Sequence, residues 1–168
     1  LKYMAILLAV ILTLGVIWLR HGGEPRFMEI PKQITDFTAL DIDGNKVSYT
    51  QLKGIPNVIV LSASWCPVCI TEIPALQSIH SKYSDKGLKI LMVSEDDNIR
   101  IAKKFKNKYK MPWDVVHWNY DLMQILGNPG VIPVIYVVDK NDQIKKIFTG
   151  AFEESELEYW IQKLTLSD

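Results

Sequence analysis

The hydrophobic pattern of the chain begins with one long apolar run at the amino terminus. Residues 3–19 are 17 consecutive positions without a charged side chain, bounded by Lys2 and Arg20. As a helix this run is about 25 Å long, slightly short of the ~30 Å hydrocarbon core of a bilayer, and Tyr3 and Trp18 are placed as interface anchors. Because the run is apolar on every face, it is typical of a membrane span rather than of a core helix.

The apolar run and the polar residues after it divide the chain into three parts. Neither an Ala-x-Ala-like cleavage site nor a lipobox cysteine follows the run, which favours a retained anchor over a cleaved signal peptide. The Gly and Pro residues that come next are typical of a short flexible tether. We therefore predict a transmembrane signal-anchor at residues 1–20, a tether at 21–29 and a folded domain at 30–168.

Beyond the tether, short apolar runs of strand length alternate with segments of helical periodicity. The longest helical segment carries a stripe of apolar residues, namely Ile70, Ile73, Leu76, Ile79 and Tyr83. Strands alternating with helices predict an α/β fold with a central mixed sheet flanked by helices. The predicted hairpin covers 34–52, with its turn at 41–46 and its second extended segment ending in Val47-Ser48-Tyr49. The other predicted strands are at 58–61, 89–93, 113–118, 132–138 and 143–148, and the predicted helices are at 67–83, 99–109, 121–126 and 153–164.

Composition and charge limit the classes of partner. The 168 residues are 48% hydrophobic, enough for one well-packed core, and 19 basic residues balance 19 acidic ones. A nucleic-acid-binding domain would carry a basic patch with interleaved aromatic residues, and the sequence has no such pattern. We therefore expect no nucleic acid among the partners.

The chemistry is concentrated in a Cys-x-x-Cys motif. Cys66 and Cys69 follow a buried strand directly and open the helix predicted at 67–83. A thiolate above the first turn of a helix meets unpaired N–H groups and the positive end of the helix dipole, so we expect Cys66 to ionise readily and act as a nucleophile. Cys69, three residues later on the same face, can resolve a mixed disulfide on Cys66. Pro67 and Val68 between them are expected to tune the redox potential.

Two other uses of the cysteine pair fit the sequence less well. A structural zinc site needs four ligands, whereas the chain adds only three scattered histidines, His21, His80 and His117, to its two cysteines. A structural disulfide across so short a loop removes very little entropy from the unfolded chain. The spacing therefore favours redox chemistry, with the disulfide itself as the redox group and no bound cofactor or metal.

Several motifs together resemble a known family. The segment 65–76 begins with the motif W-C-x-x-C-x-x-E-x-P, Val131-Ile132-Pro133 precedes an apolar strand, and Gly150 follows the predicted carboxyl-terminal hairpin. This combination resembles the membrane-anchored, TlpA/ResA-like branch of the thioredoxin superfamily, from about residue 30 to the end. The resemblance implies a thioredoxin fold with an amino-terminal β-hairpin extension.

Within this branch, two groups are the most similar. The Pro-Val dipeptide and the short anchored architecture resemble the ScsD proteins of the suppressor-of-copper-sensitivity systems. The likeness to the DsbE/CcmG reductases of cytochrome c maturation is weaker, because Val134 stands where those proteins usually carry an acidic residue after the proline. The expected context is therefore copper stress or cytochrome c maturation.

The resemblance also implies roles for individual residues. The proline matching Pro133 is cis in the family and lies against the dithiol, so Ile132 before it is expected to face a bound substrate strand. The glutamate matching Glu72 accepts the proton of the second cysteine, and an apolar setting raises a carboxyl pKa toward that task. Thioredoxin uses an aspartate on its central strand, where this chain has Val60. Trp65 is expected to shield the sulfurs, and Pro67 and Val68 to line the substrate site beside them.

The predicted function is that of a thiol:disulfide oxidoreductase that mainly reduces protein disulfides. The resemblance implies a bacterial inner-membrane protein with one transmembrane helix and its catalytic domain in the periplasm. Because an oxidising periplasm offers no pool of reductant, the enzyme is expected to need a DsbD- or ScsB-like transmembrane electron donor. Its other partners are the protein disulfides that it reduces.

Two alternative functions also fit the sequence. A DsbA-like oxidase would use the same residues with a less stable disulfide, although Pro67-Val68 lacks the histidine typical of such oxidants. A non-catalytic carrier of Cu(I) would use the soft thiolates of the pair as ligands. The reduction potential distinguishes the oxidase, and retention of Cu(I) without disulfide turnover distinguishes the carrier.

Overall fold

The computed structural model describes residues 31–165, together with Tyr3, Met4 and Thr13. Apart from those three positions, the predicted signal-anchor and tether lie outside the described residues. Among the helices of the described residues, none is long and apolar enough to cross a membrane.

Within residues 31–165 the chain forms seven strands and four α-helices in the alternating order that the sequence predicts. The strands are β1 (Thr38–Asp41), β2 (Lys46–Ser48), β3 (Asn57–Ser62), β4 (Lys89–Ser94), β5 (Asp114–His117), β6 (Val134–Val138) and β7 (Ile144–Thr149). The helices are α1 (Pro67–Tyr83), α2 (Ile99–Tyr109), α3 (Tyr120–Ile125) and α4 (Glu154–Thr165).

All seven strands belong to one mixed sheet in the order β2-β1-β5-β4-β3-β6-β7. The neighbours β3, β4 and β5 run parallel, and β6 and β7 are antiparallel additions on the other side of β3. The amino-terminal hairpin of β1 and β2 joins the sheet through an antiparallel pairing of β1 with β5. The predicted mixed sheet and hairpin extension are therefore confirmed.

The strand β3 lies at the centre of the core because every one of its six residues is buried. Side chains alternate across a strand, so Val58 and Val60 pack on one face of the sheet, and Ile59 and Leu61 pack on the other. The first face is covered by α1, α2 and α4, and the second by α3 and the segment before β1. This burial fixes β3, and the loop at its carboxyl end is held in place with it.

Two of the boundaries that differ from the prediction have a clear local cause. The second strand of the hairpin ends at Ser48, because the Ser48 hydroxyl accepts a hydrogen bond from the Thr50 N–H and starts a short 3₁₀ turn at Tyr49–Gln51. The strand predicted from Ile132 begins at Val134. Pro133 has no N–H to donate to the ladder, so the residues before it enter the strand without belonging to it.

Candidate active site

The candidate active site is the loop between β3 and α1, where the chain turns from the sheet into the helix. The Cys66 N–H donates to the Ala63 carbonyl at 3.2 Å and closes this turn. Cys66 then takes the N-cap position of α1, with its Sγ 3.1 Å from the Cys69 N–H that donates to it. Pro67 occupies the first turn, where a missing N–H costs the helix nothing. The local sequence therefore directs a helix N–H at the sulfur of Cys66.

The two cysteines form a disulfide in this structure, with their Cα atoms 5.3 Å apart. Both are buried, with exposed fractions of 5% for Cys66 and 3% for Cys69. The residues around them are open to solvent instead, since Trp65 is 62% exposed and Val68 39% exposed, and Pro67 is exposed as well. The sulfur pair therefore lies at the base of a rim of apolar side chains.

The loop before β6 lies against the disulfide at Cys66. The Ile132–Pro133 peptide bond is cis, and the Ile132 carbonyl oxygen lies 3.9 Å from the Cys66 Sγ. The Pro133 carbonyl accepts a hydrogen bond from the Gly150 N–H at 2.9 Å, which ties this loop to the end of β7. The structure thus places Ile132 and Pro133 against Cys66, whereas the sequence separates them by more than 60 residues.

Glu72 lies one helical turn after Cys69 and is half-buried. Burial raises the pKa of the Glu72 carboxyl, the backbone N–H of Phe152 partly opposes this by hydrogen bonding, and the charge of Glu153 adds to the increase. The carboxyl therefore faces the residues just before α4. Among the hydrogen bonds of the described residues, none joins it to either sulfur.

Sequence reasoning missed a polar cluster beneath the loop. Asp96, after the end of β4, accepts hydrogen bonds from the Ser64 N–H at 3.0 Å and the Ser64 hydroxyl at 2.6 Å. The Ser94 hydroxyl donates to its other oxygen at 2.8 Å. The polar run 94–98 could have indicated this cluster, because it directly follows the strand predicted at 89–93. The carboxyl ends of neighbouring parallel strands meet at one edge of a sheet, so polar residues there lie close to the loop that follows β3.

A cleft of about 400 Å³ opens beside this cluster, at the carboxyl ends of β4 and β5. Burial raises the pKa of Glu95, which lines it together with Asp97 and the exposed aromatic residues Trp118 and Tyr120. Within residues 31–165, no group of three or more His, Cys, Asp or Glu side chains is arranged to hold a metal ion.

Comparison with known proteins places the chain among redox enzymes. The model of the AhpC/TSA family matches residues 30–147, most of the chain. The chain belongs to the AhpC/TSA family. This AhpC/TSA-family chain is similar to the thiol-disulfide oxidoreductase ResA of Bacillus anthracis, with 28% identity over 82% of this chain and 80% of the relative. It is also 23% identical to ResA of Geobacillus kaustophilus, over 95% of this chain and 92% of that protein.

The solved structures agree on the fold of this AhpC/TSA-family chain. A putative thiol:disulfide interchange protein DsbE from Chlorobium tepidum superposes with a TM-score of 0.73 at 20% identity, covering 83% of this chain and 99% of that structure. The predicted thioredoxin-like α/β fold is therefore confirmed, as is the resemblance to the TlpA/ResA-like branch. The predicted enzyme class, a thiol:disulfide oxidoreductase, is confirmed by the relatives that bear this name.

Proposed function

We propose that this oxidoreductase works as a reductase of protein disulfides, anchored in the bacterial inner membrane with its domain in the periplasm. One observation carries the catalytic part of the proposal. The Cys66 sulfur lies between the Cys69 N–H at 3.1 Å, which stabilises a thiolate, and the Ile132 carbonyl at 3.9 Å. A substrate strand paired along Ile132 would bring its own sulfur to Cys66.

The reaction consists of two thiol–disulfide exchanges. The Cys66 thiolate of the dithiol enzyme attacks one sulfur of the substrate disulfide, forms a mixed disulfide and expels the other substrate sulfur as a thiolate. The Cys69 thiolate then attacks the Cys66 sulfur, which breaks the mixed disulfide and releases the second substrate thiolate. The substrate gains two electrons and two protons, and the enzyme is left with the Cys66–Cys69 disulfide seen in this structure.

The residues around the cysteines have the remaining roles, which are proton transfer and substrate binding. Glu72 accepts the proton of Cys69 as that thiol becomes a nucleophile, because its carboxyl is the titratable group one turn along the same helix and burial raises its pKa. Ile132 and Pro133 align the substrate backbone. Trp65, Pro67 and Val68 form the exposed rim that contacts the substrate around the buried sulfurs.

The cellular setting completes the proposal. The apolar run at residues 3–19 anchors the domain, and a DsbD- or ScsB-like transmembrane protein returns the disulfide to the dithiol. The proposed context is copper stress or cytochrome c maturation, which the resemblance to the ScsD and DsbE/CcmG groups implies, and the relatives named thiol-disulfide oxidoreductase ResA support the redox reaction itself. The substrates are proteins that carry a disulfide, and the enzyme needs no further cofactor.

The reduction potential of the cysteine pair tests the direction of the reaction. We expect the purified chain, equilibrated with glutathione redox buffers, to have a potential below about −200 mV, where the dithiol is a good reductant. A value of about −120 mV would identify an oxidase and contradict the proposal. Alkylation of free thiols followed by mass measurement gives the oxidised fraction at each buffer ratio.

Replacing Glu72 with glutamine tests the proton transfer. The Glu72→Gln variant is expected to resolve its mixed disulfide about 10²-fold more slowly at neutral pH, because a positioned base is lost. The rate should recover as the pH rises and Cys69 ionises unaided. Rapid mixing with a model protein disulfide, followed across the pH range, measures this step, and an unchanged pH profile would exclude Glu72 as the base.

The same variant has a consequence for stability. Because the pKa of Glu72 is raised in the folded protein, the folded state binds more protons than the unfolded one, and stability falls as the pH rises through that pKa. Glu72→Gln should therefore stabilise the protein at neutral pH, and it should have no effect on stability at a pH below the usual glutamate pKa. Glu158 is the control of opposite sign, because Lys82 and Tyr83 lower its pKa and Glu158→Gln should destabilise at neutral pH. Urea midpoints at neutral and acidic pH measure both effects.

A further inference from the structure

Asp96 is a buried carboxylate for which the two exchange steps provide no role. It is only 1% exposed, and none of the ion pairs among the described residues includes it. A buried carboxylate without a cation is costly unless hydrogen-bond donors satisfy its oxygens. The side chain must therefore be held by donors that the fold supplies.

The donors come from the loop that carries the cysteines and from the strand beside it. Oδ1 accepts from the Ser64 N–H at 3.0 Å and the Ser64 hydroxyl at 2.6 Å, and Oδ2 accepts from the Ser94 hydroxyl at 2.8 Å. The Ser94 oxygen in turn accepts from the Asp96 N–H at 3.2 Å. Three donors on two oxygens fit an ionised carboxylate, which only accepts.

The backbone around Asp96 is fixed as well. Ser62 of β3 lies opposite Ser94 of β4, and the Glu95 N–H donates to the Ser62 carbonyl at 2.8 Å. His117 Nε2 lies 2.8 Å from the Asp96 carbonyl oxygen. A carbonyl oxygen only accepts, so this ring nitrogen carries the proton. Residues 94–96 are therefore tied to both β3 and β5, while the Asp96 side chain holds the loop that carries Cys66.

We propose that Asp96 is a positioning residue that fixes the loop Ala63–Cys66 and makes the Cys66–Cys69 pair a stronger reductant. The proposal rests on the exchange reaction described above, and it names Asp96 as the residue that favours the direction in which the substrate is reduced. Ser64 stands two residues before Cys66, and the turn closed by the Cys66 N–H begins at Ala63. The bonds to Asp96 thus set where the sulfur lies over α1.

The charge of Asp96 acts on the redox equilibrium in one direction. A buried negative charge next to the loop disfavours a second negative charge on Cys66. Reduction creates that thiolate, whereas the disulfide is neutral, so the carboxylate favours the disulfide and strengthens the pair as an electron donor. The N–H of Cys69 favours the thiolate, and the two effects oppose each other at the same sulfur.

The first test is Asp96→Asn in the full chain, because an asparagine oxygen still accepts from Ser64 but carries no charge. We measure the equilibrium constant for oxidation of the dithiol by glutathione disulfide, and expect it to fall about tenfold relative to wild type. The ultraviolet absorbance of the thiolate should titrate at lower pH in the same variant. Asp97→Asn removes the same charge from the next, exposed residue, and is expected to change the constant less than about twofold.

A second variant keeps the proposal testable if Asp96→Asn does not fold. Ser64→Ala removes the hydroxyl donor that partly neutralises Oδ1 but keeps the backbone N–H bond. The equilibrium constant should then rise about twofold to threefold, opposite in sign to Asp96→Asn. The proposal would be overturned if the folded Asp96→Asn variant had an unchanged equilibrium constant, or if Asp97→Asn changed the constant as much as Asp96→Asn does. It would also be overturned if Ser64→Ala left the constant unchanged or lowered it.

These outcomes are separate from failure of the proposed function. If the wild-type chain is an oxidase, its equilibrium constant for oxidation by glutathione disulfide will show this. The differences in that constant between wild type and variants still test the effect of Asp96 on the cysteine pair. A purely structural role would lower the urea midpoint of Asp96→Asn and leave both the equilibrium constant and the thiolate titration unchanged. The redox readout therefore distinguishes positioning of the dithiol from support of the fold.

Discussion

Replacing Cys66 with serine is expected to reduce disulfide turnover to the background rate, a loss of at least about 10³-fold. A serine hydroxyl is not ionised at neutral pH and cannot form a disulfide, so neither exchange step can begin. The measurement is the reduction of a model protein disulfide by the purified chain with a steady supply of reductant. A Cys66→Ser variant that turns over at the wild-type rate would refute the proposed mechanism.

The serine variant of the second cysteine is the matched control. Cys69→Ser keeps the nucleophile but loses the group that resolves the mixed disulfide, so it should react about once per molecule and then stop. Mass spectrometry without reductant should show the enzyme joined to its substrate through Cys66. If Cys66→Ser instead accumulated a mixed disulfide with the substrate through Cys69, the roles of the two sulfurs would be reversed.

Replacing Leu76 with alanine is expected to lower the free energy of unfolding by about 2–5 kcal/mol, more than any other variant proposed here. Leu76 is 1% exposed and packs from α1 into the cluster that contains Val58 and Val60 of β3. The shorter side chain leaves a cavity between the helix that carries Cys69 and the strand that leads to Cys66. Urea unfolding of the two proteins, followed by circular dichroism, measures the difference.

The control for this prediction is a leucine of the same size at the surface. Leu40 of β1 is 43% exposed, so Leu40→Ala should lower the free energy of unfolding by less than about 1 kcal/mol. Equal losses in the two variants would show that α1 is not packed on the sheet as described.

Much of the fold could be predicted because local signals and tertiary packing agree. The helix α1 has the predicted bounds, since Pro67 suits a first turn and the apolar stripe through Leu76 is continuous. The end of β2 was mispredicted, because Tyr49 has the apolar bulk of a strand residue while the Ser48 hydroxyl caps a 3₁₀ turn. Whether Tyr49 continues the strand or starts the turn depends on tertiary contacts, which the pattern of residues along the chain does not show.

Residue spacing alone predicted the site only where its chemistry is contiguous in sequence, and the distant Ile132 and Pro133 were assigned to it through the family resemblance. Cys66, Cys69 and Glu72 share one helical segment, so their spacing was informative. The pairing of Asp96 with Ser64 spans 32 residues and depends on the register that sets Ser62 opposite Ser94. Nothing in the polar run 94–98 shows which side chain turns inward, because that is decided by the parallel pairing of β3 with β4.

The two edges of the sheet have a consequence for an enzyme whose substrates are proteins. Exposed strand edges offer unpaired N–H and C=O groups to any extended chain and so promote aggregation. Here one edge is β2, only three residues long, and the other is β7, which carries Lys145 and Lys146. The start of β7 is also covered, because the Ile144 N–H donates to the Lys32 carbonyl. Substrate chains are thereby discouraged from adding an eighth strand to the sheet, which favours the proposed contact at the rim of the disulfide.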